Sequence, residues 1–241
     1  MKFFDKLRRV IFYLVDGRKI RCAVCRGEVF DDEYLCNDCR EKIVEIQNKN
    51  HCAHCGRETK QKEEYCLTCK NFMVNVDIAR SVYSYADIGA TVKKFKYVGK
   101  KYLAEFFSKK LNEIYKRENF SADGICFVPM TEEKLRKRKF NQTELLAENF
   151  SKHSGVPVLD VLEKVKETPS QAGLKRTERL KNLQNVFKVT DKKSVKDKTI
   201  VLIDDVLTTG ATAESVAYKL KKSGATRVIL LTVASAPDIS G

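Results

Sequence analysis

The residues best suited to chemistry in this chain are two adjacent carboxylates followed by a hydroxyl-rich turn. They are Asp204 and Asp205, and then Thr208, Thr209, Gly210, Ala211 and Thr212. Hydroxyl groups and unpaired backbone N–H groups in such a turn can bind phosphate oxygens. The carboxylates can accept hydrogen bonds from sugar hydroxyls or face a divalent cation that a phosphate carries. The combination predicts a site for a ribose that carries a 5′-phosphate.

Two elements would position these groups. Residues 200–203 are four consecutive aliphatic side chains, which is the pattern of a strand buried on both faces of a parallel sheet. We expect this strand to leave the sheet at the carboxylates. The turn then opens a helix that is predicted to run to about Lys222, because its apolar residues recur at helical spacing: Ala213, Val216, Ala217 and Leu220.

This segment resembles the motif with which type I phosphoribosyltransferases bind 5-phosphoribosyl 1-pyrophosphate (PRPP). The shared pattern is four apolar residues, two acidic, two apolar, and then a Thr-rich turn with Gly. The resemblance implies that Asp204 and Asp205 contact the ribose hydroxyls, that residues 208–212 surround the 5′-phosphate, and that Mg²⁺ accompanies PRPP. The alternative is an ordinary buried strand and turn in which Asp205 caps the helix.

Eight of the nine cysteines form a doubled pattern, in which a CxxC-x10-CxxC unit repeats after thirty residues. They are Cys22, Cys25, Cys36, Cys39, Cys52, Cys55, Cys66 and Cys69. Two-residue spacing lets both thiolates face one metal, and two such knuckles complete a tetrahedral shell, which predicts two structural zinc ions. The spacing leaves open whether each unit closes its own site or the knuckles pair crosswise. His51 and His54 could replace a thiolate or be loop histidines.

The cysteine-rich region has too little apolar sequence for a core of its own, so zinc must supply most of its folding free energy. Its charged loops suggest a surface for protein or nucleic acid, or equally a purely structural ribbon; the cations concerned are Arg26, Arg57, Lys60 and Lys62. The ninth cysteine, Cys126, fits a buried strand.

From residue 76 onward, strands are predicted to alternate with helices. Strands are expected at 79–85, 125–128, 156–162, 185–189 and 227–233. Helices are expected at 88–97, 101–115, 141–150 and 177–183. This alternation predicts an α/β fold with a mostly parallel sheet flanked by helices, and its ligands at the carboxyl ends of the strands. The predicted domains are an N-terminal helical segment (1–20), a double zinc ribbon (21–72) and a phosphoribosyltransferase-like domain (73–241).

A basic stretch follows the strand at 125–128 and is expected to form a loop; its cations are Lys134, Arg136, Lys137, Arg138 and Lys139. Arg136 and Arg138 could face a pyrophosphate over the sheet, because Arg offers a bidentate fork. The alternative is a solvated basic loop. Asn141 is a good helix cap. Gln142 either opens that helix or lies near the acceptor, and the polar stretch 167–182 could be a hood over the site or a nucleic-acid contact.

Further segments resemble the ComF family, which is associated with bacterial competence and DNA uptake. They are residues 94–99, residues 128–130 with 136–142, residues 168–171 with the positions that follow them, and the doubled cysteine pattern. The resemblance implies a role in DNA uptake or handling, with competence-machinery proteins as partners. One departure is Lys139, where the family usually has Gly, so Lys would be strained there if φ is positive.

Composition leaves two functions open. The formal net charge of +14 is typical of proteins that contact phosphate backbones. The protein is either a phosphoribosyltransferase with an unknown acceptor and unknown catalytic residues, or a non-catalytic protein that binds single-stranded DNA and uses the fold as a phosphate pocket. Aromatic residues near the cations could stack on unpaired bases or belong to the core: Phe95, Tyr97, Tyr102 and Phe140.

The chain shows no apolar run long enough to span a membrane. Residues 10–15 are apolar and follow basic residues, but they are too few for a signal peptide and precede no small-residue cleavage site. The sequence therefore predicts a cytoplasmic protein whose first 17 residues form a short amphipathic helix.

Overall fold

The computed structural model describes residues 21–29, 34–98, 101–166 and 186–238. It divides into two compact units, Met1–Ile43 and Val44–Gly241. The helical segment expected at 1–20 and the helix expected at 177–183 lie outside the described residues. The domain boundaries 1–20, 21–72 and 73–241 stay predictions.

A parallel sheet forms the centre of the second unit. The strands among the described residues are β1 (Ile78–Ser84), β2 (Gly124–Phe127), β3 (Leu162–Lys164), β4 (Phe187–Val189), β5 (Thr199–Leu207) and β6 (Arg227–Ser235). Four of them form the sheet in the order β1-β6-β5-β2, with every neighbouring pair parallel. Strands β3 and β4 pair antiparallel in a separate two-stranded sheet.

Helices cover the sheet and connect its strands. Those among the described residues are α1 (Asn37–Lys42), α2 (Leu67–Phe72), α3 (Tyr85–Val98), α4 (Lys101–Arg117), α5 (Glu132–Arg138), α6 (Gln142–Ser154) and α7 (Ala211–Lys222). Helices α4 and α6 pack against each other, and α7 packs against β4, β5 and β6. Strands β2 and β6 are buried almost throughout, as expected for a sheet with helices on both faces. Cys126 is fully buried in β2, as predicted.

The strand that carries the carboxylates is longer than predicted. β5 continues through both of them to Leu207, and Asp204 lies opposite Thr232 of β6. The prediction that the strand leaves the sheet at the carboxylates is therefore wrong. The reason is that β6 runs on to Ser235 and still offers backbone partners there. The Thr-rich turn at residues 208–212 begins only after this extended pairing ends.

Two other elements differ from the sequence predictions. The basic stretch after β2 forms helix α5 rather than a loop, because Thr131 caps it by accepting from the Lys134 N–H, and two glutamates occupy its first turn. The strand expected at 156–162 is reduced to one parallel bridge between Val158 and Ile125. Pro157 lies in that segment, and a proline has no N–H for a sheet ladder. No described helix is both long and apolar enough to cross a membrane.

Candidate functional site

The two adjacent carboxylates on β5 have different surroundings. Successive side chains of a strand point to opposite faces, so Asp204 and Asp205 do not share one environment. Asp205 is buried, with 4% of its surface exposed, whereas Asp204 is partly exposed. The Asp205 N–H donates to Oδ1 of Asp204 at 2.8 Å. Only the Asp204 side chain therefore has an appreciable surface open to a ligand.

The Asp205 carboxylate is held by two side chains from other elements. Lys96, near the end of α3, places Nζ 2.9 Å from Oδ1. The Gln142 amide, at the start of α6, donates to Oδ2 at 2.6 Å. Asn141 caps α6, as predicted, by accepting from the Thr143 N–H. Gln142 thus opens the helix, which is one of its two predicted roles, and it also binds Asp205. The other predicted role, a place near the acceptor, stays a prediction.

Arg138 extends these contacts. Its Nη1 donates to Oε1 of Gln142 at 3.3 Å, and its Nη2 donates to the Tyr97 hydroxyl at 3.4 Å. The guanidinium carbon also lies 4.8 Å from the centre of the Tyr97 ring. Since Tyr97 follows Lys96 in the chain, the contacts close a ring. We call these five residues (Lys96, Tyr97, Arg138, Gln142 and Asp205) the Asp205 network.

The other basic residues of α5 are placed differently from Arg138. Arg136 is largely exposed and pairs with Glu132, one turn away at 3.8 Å. The two arginines predicted for the pyrophosphate therefore separate: the structure joins Arg138 to Asp205 through Gln142 and leaves Arg136 on the outer side of the helix. Lys139 ends α5 with φ of 65°, so the condition under which a lysine would be strained at this departure from the family's Gly is met. A lysine in this conformation carries backbone strain of about 1 kcal/mol.

Residues 208–212 form the turn between β5 and α7, which we call the phosphate loop. Gly210 is the N-cap of α7, with φ of 79°. A left-handed residue at this point turns the chain sharply from the strand into the helix, and glycine adopts that conformation without strain. Thr208 is exposed, and Thr209 and Thr212 are half-buried. The loop thus presents hydroxyls beside a helix N-terminus, at the same edge of the sheet as the carboxylates.

Burial and the neighbouring Asp205 carboxylate raise the pKa of Asp204 from 3.8 to about 7. The hydrogen bond from the Asp205 N–H and the positive charge of Lys96 oppose this rise without cancelling it. Asp204 therefore exchanges its proton near neutral pH. A cation or a hydroxyl group that approaches its oxygens would favour the ionised form.

The eight patterned cysteines gather into two groups of four, one for each repeated unit. Cys22, Cys25, Cys36 and Cys39 form the first cluster, and Cys52, Cys55, Cys66 and Cys69 the second. Within the clusters, Sγ atoms lie 3.6 to 3.8 Å apart. Four thiolates at the usual Zn–S length form a tetrahedron with edges of about 3.8 Å, so the spacing fits zinc. Each unit closes its own site, and neither cluster includes His51 or His54.

Arg57 was predicted to lie in a charged loop, but in the structure its side chain is buried. Only 1% of its surface is exposed, so it contributes nothing to an outer surface. Its guanidinium donates to the carbonyls of Thr208, Ala236 and Pro237. Sequence reasoning missed this role, because backbone carbonyls leave no mark in a sequence.

Known protein families match both the cysteine-rich part of the chain and the part that contains the sheet. A model described as "Phosphoribosyl transferase domain" matches residues 143–238, and one described as "Double zinc ribbon domain" matches residues 19–70. "Competence protein F" of Haemophilus influenzae is 27% identical over 85% of this chain and 92% of its own. "Competence protein ComFC" of Bacillus subtilis is 30% identical over 80% of each chain. The chain belongs to the ComF/ComFC family.

The fold of this ComF-family protein is that of a type I phosphoribosyltransferase preceded by a double zinc ribbon. The matched transferase region runs from α6 to the end of β6 and contains Gln142's helix, both carboxylates and the phosphate loop. The matched ribbon region contains both cysteine clusters, which are structural zinc sites. Among solved structures, adenine phosphoribosyltransferase from Leishmania tarentolae is 17% identical, with a TM-score of 0.37, over 70% of this chain and 85% of that one.

Proposed function

We propose that this ComF-family protein binds Mg²⁺-PRPP at the carboxyl edge of its sheet and acts in DNA uptake or handling during competence. The observation that supports this most directly is the grouping of three features at one edge: the partly exposed Asp204, the phosphate loop, and the cations of the Asp205 network. They match the three chemical parts of PRPP, which are a ribose, a 5′-phosphate and a pyrophosphate.

Each part of the ligand then has a partner. The phosphate loop binds the 5′-phosphate through Thr hydroxyls and the N-terminal N–H groups of α7. Asp204 accepts from the ribose hydroxyls, and Arg138 binds the pyrophosphate together with its Mg²⁺. When PRPP binds, Lys96 leaves Asp205 and pairs with the pyrophosphate. Asp205 is then free to accept a second hydrogen bond from the ribose hydroxyls. Arg136, on the outer side of α5, attracts the pyrophosphate through its charge without contacting it.

Calorimetric titration with Mg²⁺-PRPP tests this assignment. Asp204→Asn combined with Asp205→Asn should lower PRPP affinity at least ~30-fold, because both hydroxyl acceptors lose their charge. Asp160→Asn is the matched control, since Asp160 is an exposed carboxylate outside the site, and it should bind as the unmodified protein does. Unchanged affinity in the double variant would remove the PRPP site.

Whether the protein turns PRPP over is a separate question. The transferase reaction would displace pyrophosphate from C1 of the ribose, and binding of the leaving pyrophosphate would stabilise the departing charge. The test is pyrophosphate release with candidate bases, nucleosides and oligonucleotides as acceptors. Release with one acceptor would establish an enzyme, whereas intact PRPP binding with no release from any of them would favour a binding role.

A second candidate function is binding of single-stranded DNA by the face around α5. Tyr97 is 69% exposed, and it borders an open groove of about 510 Å³ that Lys134, Lys137 and Arg138 also line. An exposed aromatic ring among cations is the usual arrangement for stacking an unpaired base beside its phosphates. The net charge of +14 and the competence names of the relatives favour the same role. We place it in the cytoplasm, where thiolates stay reduced, with competence-machinery proteins as partners.

Fluorescence anisotropy with a labelled oligonucleotide separates this role from PRPP binding. Tyr97→Ala should weaken DNA binding by about 1–3 kcal/mol, whereas Tyr97→Phe keeps the ring and should retain it. Lys134→Gln should lower the salt dependence, and Lys188→Gln, on the exposed side of β4, should not. Absence of binding at low salt would exclude the DNA-binding role and leave the PRPP site untouched.

A further inference from the structure

Arg57 is buried against the backbone of the phosphate loop. It comes two residues after Cys55, within the second cysteine cluster's own segment, and its side chain is buried. Nη2 donates to the Thr208 carbonyl at 2.5 Å, and Nη1 donates to the carbonyls of Ala236 and Pro237 at 2.7 Å. One guanidinium thus joins the ribbon, the first residue of the phosphate loop and the chain that follows β6.

These contacts depend on the conformation of the loop. A buried guanidinium needs several acceptors, because its charge is otherwise costly away from water. The acceptors here are carbonyl oxygens of three residues, and they converge only when the backbone around Thr208 has this shape. Charge-assisted hydrogen bonds of this kind are about twice as strong as neutral ones. Arg57 therefore favours one conformation of Thr208 over the alternatives.

Two further contacts join the chain that directly follows the second ribbon to the loop and to α7. Met73, just after α2, packs beneath Gly210, where an added Cβ would come within 3.1 Å of the Met73 Cγ. The buried Glu214 carboxylate, in the first turn of α7, accepts from the N–H groups of Asn75 and Val76. The loop is thus supported at its start, at its glycine and at the helix that follows.

The repeated sequence shows that the ribbon itself does not require Arg57. With an offset of thirty residues, Arg57 corresponds to Gly27 of the first ribbon, which also closes a four-cysteine cluster. The preceding position is left-handed in both ribbons, with φ of 71° at Arg26 and 62° at Gly56. The knuckle therefore forms with or without a side chain at the position of Arg57, and the arginine serves the contact with Thr208.

We propose that Arg57 is a positioning residue through which the second zinc ribbon holds the phosphate loop in its 5′-phosphate-binding conformation. This inference rests on the proposed PRPP site. It predicts that the ribbon affects the affinity for the 5′-phosphate end of the ligand and not for the pyrophosphate end. Loss of Arg57 should let the Thr208 carbonyl move and the loop sample other conformations, so that part of the binding free energy is used to reorder it.

The test is calorimetric titration of Arg57→Met and Arg57→Lys with ribose 5-phosphate and, separately, with magnesium pyrophosphate. Arg57→Met should weaken ribose 5-phosphate roughly ten-fold and leave pyrophosphate within about two-fold, with two zinc ions retained. The ribose 5-phosphate affinity of Arg57→Lys should lie between those of Arg57→Met and the unmodified protein, because an ammonium keeps the charge and lacks the planar fork of the guanidinium. Equal weakening of both ligands, or unchanged ribose 5-phosphate affinity in a folded variant, would overturn the proposal.

Arg80→Met is the matched control. Arg80 also joins the ribbon to the sheet, since it donates to the Ala53 carbonyl and pairs with Glu118, but these contacts do not involve the phosphate loop. It should lower thermal stability without selective loss of ribose 5-phosphate; the same selective loss would contradict a role specific to Arg57. If the unmodified protein binds neither ligand, the PRPP site fails. Amide hydrogen exchange then still tests the positioning role, since residues 209–212 must exchange faster in Arg57→Lys than in the unmodified protein.

Discussion

The two zinc ribbons have nearly the same cysteine spacing but quite different surroundings. In the first, Cys25 is exposed and Cys36 is half-buried. In the second, all four cysteines are buried, and they belong to the same apolar cluster as Met73, Val76 and residues of α7. The first ribbon is part of the small unit that ends at Ile43, and the second belongs to the unit that contains the sheet.

The comparison shows that one repeated metal motif can serve two purposes. A ribbon whose cysteines reach solvent depends on its zinc for most of its folding free energy. A ribbon whose cysteines are packed with a sheet gains burial energy as well, and it can transmit its shape to whatever it touches. The second ribbon contacts the phosphate loop. Zinc binding therefore stabilises only the ribbon itself in the first copy, whereas in the second copy it also supports the candidate site.

The largest expected difference comes from removing one metal site at a time. Cys52→Ser with Cys69→Ser and Cys22→Ser with Cys39→Ser should each leave one zinc per chain by elemental analysis. The first pair should lower the main unfolding temperature by more than about 10 °C and abolish PRPP binding, since the second ribbon is part of the core. The second pair should shift that temperature by less than about 2 °C. Similar effects from both pairs would erase the distinction between the ribbons.

A smaller effect is expected at the left-handed knuckle position. Gly56→Ala should lower the free energy of unfolding by about 3 kcal/mol, because it adds a left-handed alanine and a Cβ only 3.0 Å from the Ala79 carbonyl and Arg80 Cα. Gly155→Ala is the control, since Gly155 is also left-handed but has no atom within 4 Å of an added Cβ. It should lower that free energy by about 1 kcal/mol in urea denaturation. Equal losses of unfolding free energy in the two variants would mean that Gly56 is not closely packed against β1.

The next effect depends on pH and concerns only the unit with the second ribbon. Asp204 has a pKa of about 7 in the folded chain against 3.8 when unfolded, so the folded state binds more protons between these values. The free energy of unfolding should therefore fall as pH rises from about 4 to about 7, and stay lowered above that. Asp204→Asn should remove this slope. At pH 8 its free energy of unfolding, measured by urea denaturation, should exceed that of the unmodified protein by about 2 kcal/mol, which is about half of what the full pKa shift would give because solvent screens the partly exposed carboxylate.

Comparing these two proteins at each pH cancels the protonation of the cysteine thiolates, which both share. The difference should be near zero below about pH 4, grow between about pH 4 and about pH 7, and stay constant above that. A difference that does not change with pH would show that Asp204 is ionised throughout. The cysteine-pair variant of the first ribbon should keep the same slope, because Asp204 belongs to the other unit.

The smallest effect is expected in the first ribbon. Arg26 is left-handed with φ of 71°, at the position where the second ribbon has Gly56. Arg26→Gly should relieve about 1 kcal/mol of backbone strain and slow zinc removal from the first site about five-fold in a chelator competition. The second site provides the internal reference, because its rate should not change. Faster removal from the first site would show that the Arg26 side chain outweighs the strain.

Several features followed from short stretches of sequence. The spacing of the cysteines predicted the double zinc ribbon, because the ligands of each site lie close together in the chain. The pattern at residues 200–212 predicted a buried strand, a glycine turn and a helix, and α7 begins at Ala211. The family's usual Gly at position 139 indicated where a positive φ would strain a lysine, and Lys139 has a positive φ. Each of these features is set by residues that lie close together in the chain.

Helix α5 was missed although its signals were present. Thr131 and the two glutamates after it are a helix start, and the basic residues that follow suit a helix C-terminus. The run of cations, whose like charges repel one another, was interpreted as a loop. In the structure the i,i+4 pairs with Glu132 and Glu133 offset that repulsion.

The sequence by itself determined the metal ligands, the phosphate-loop pattern and the α/β class, since each depends on residues within a short segment. Only the tertiary structure decided that Asp205 is held by Lys96 and Gln142, while Asp204 keeps an open side. It also decided that Arg57 is buried against Thr208, 151 residues further along the chain. The physical reason is that a guanidinium can be satisfied by any set of converging carbonyls, and every residue has a carbonyl, so no pattern of side chains marks the place where they meet.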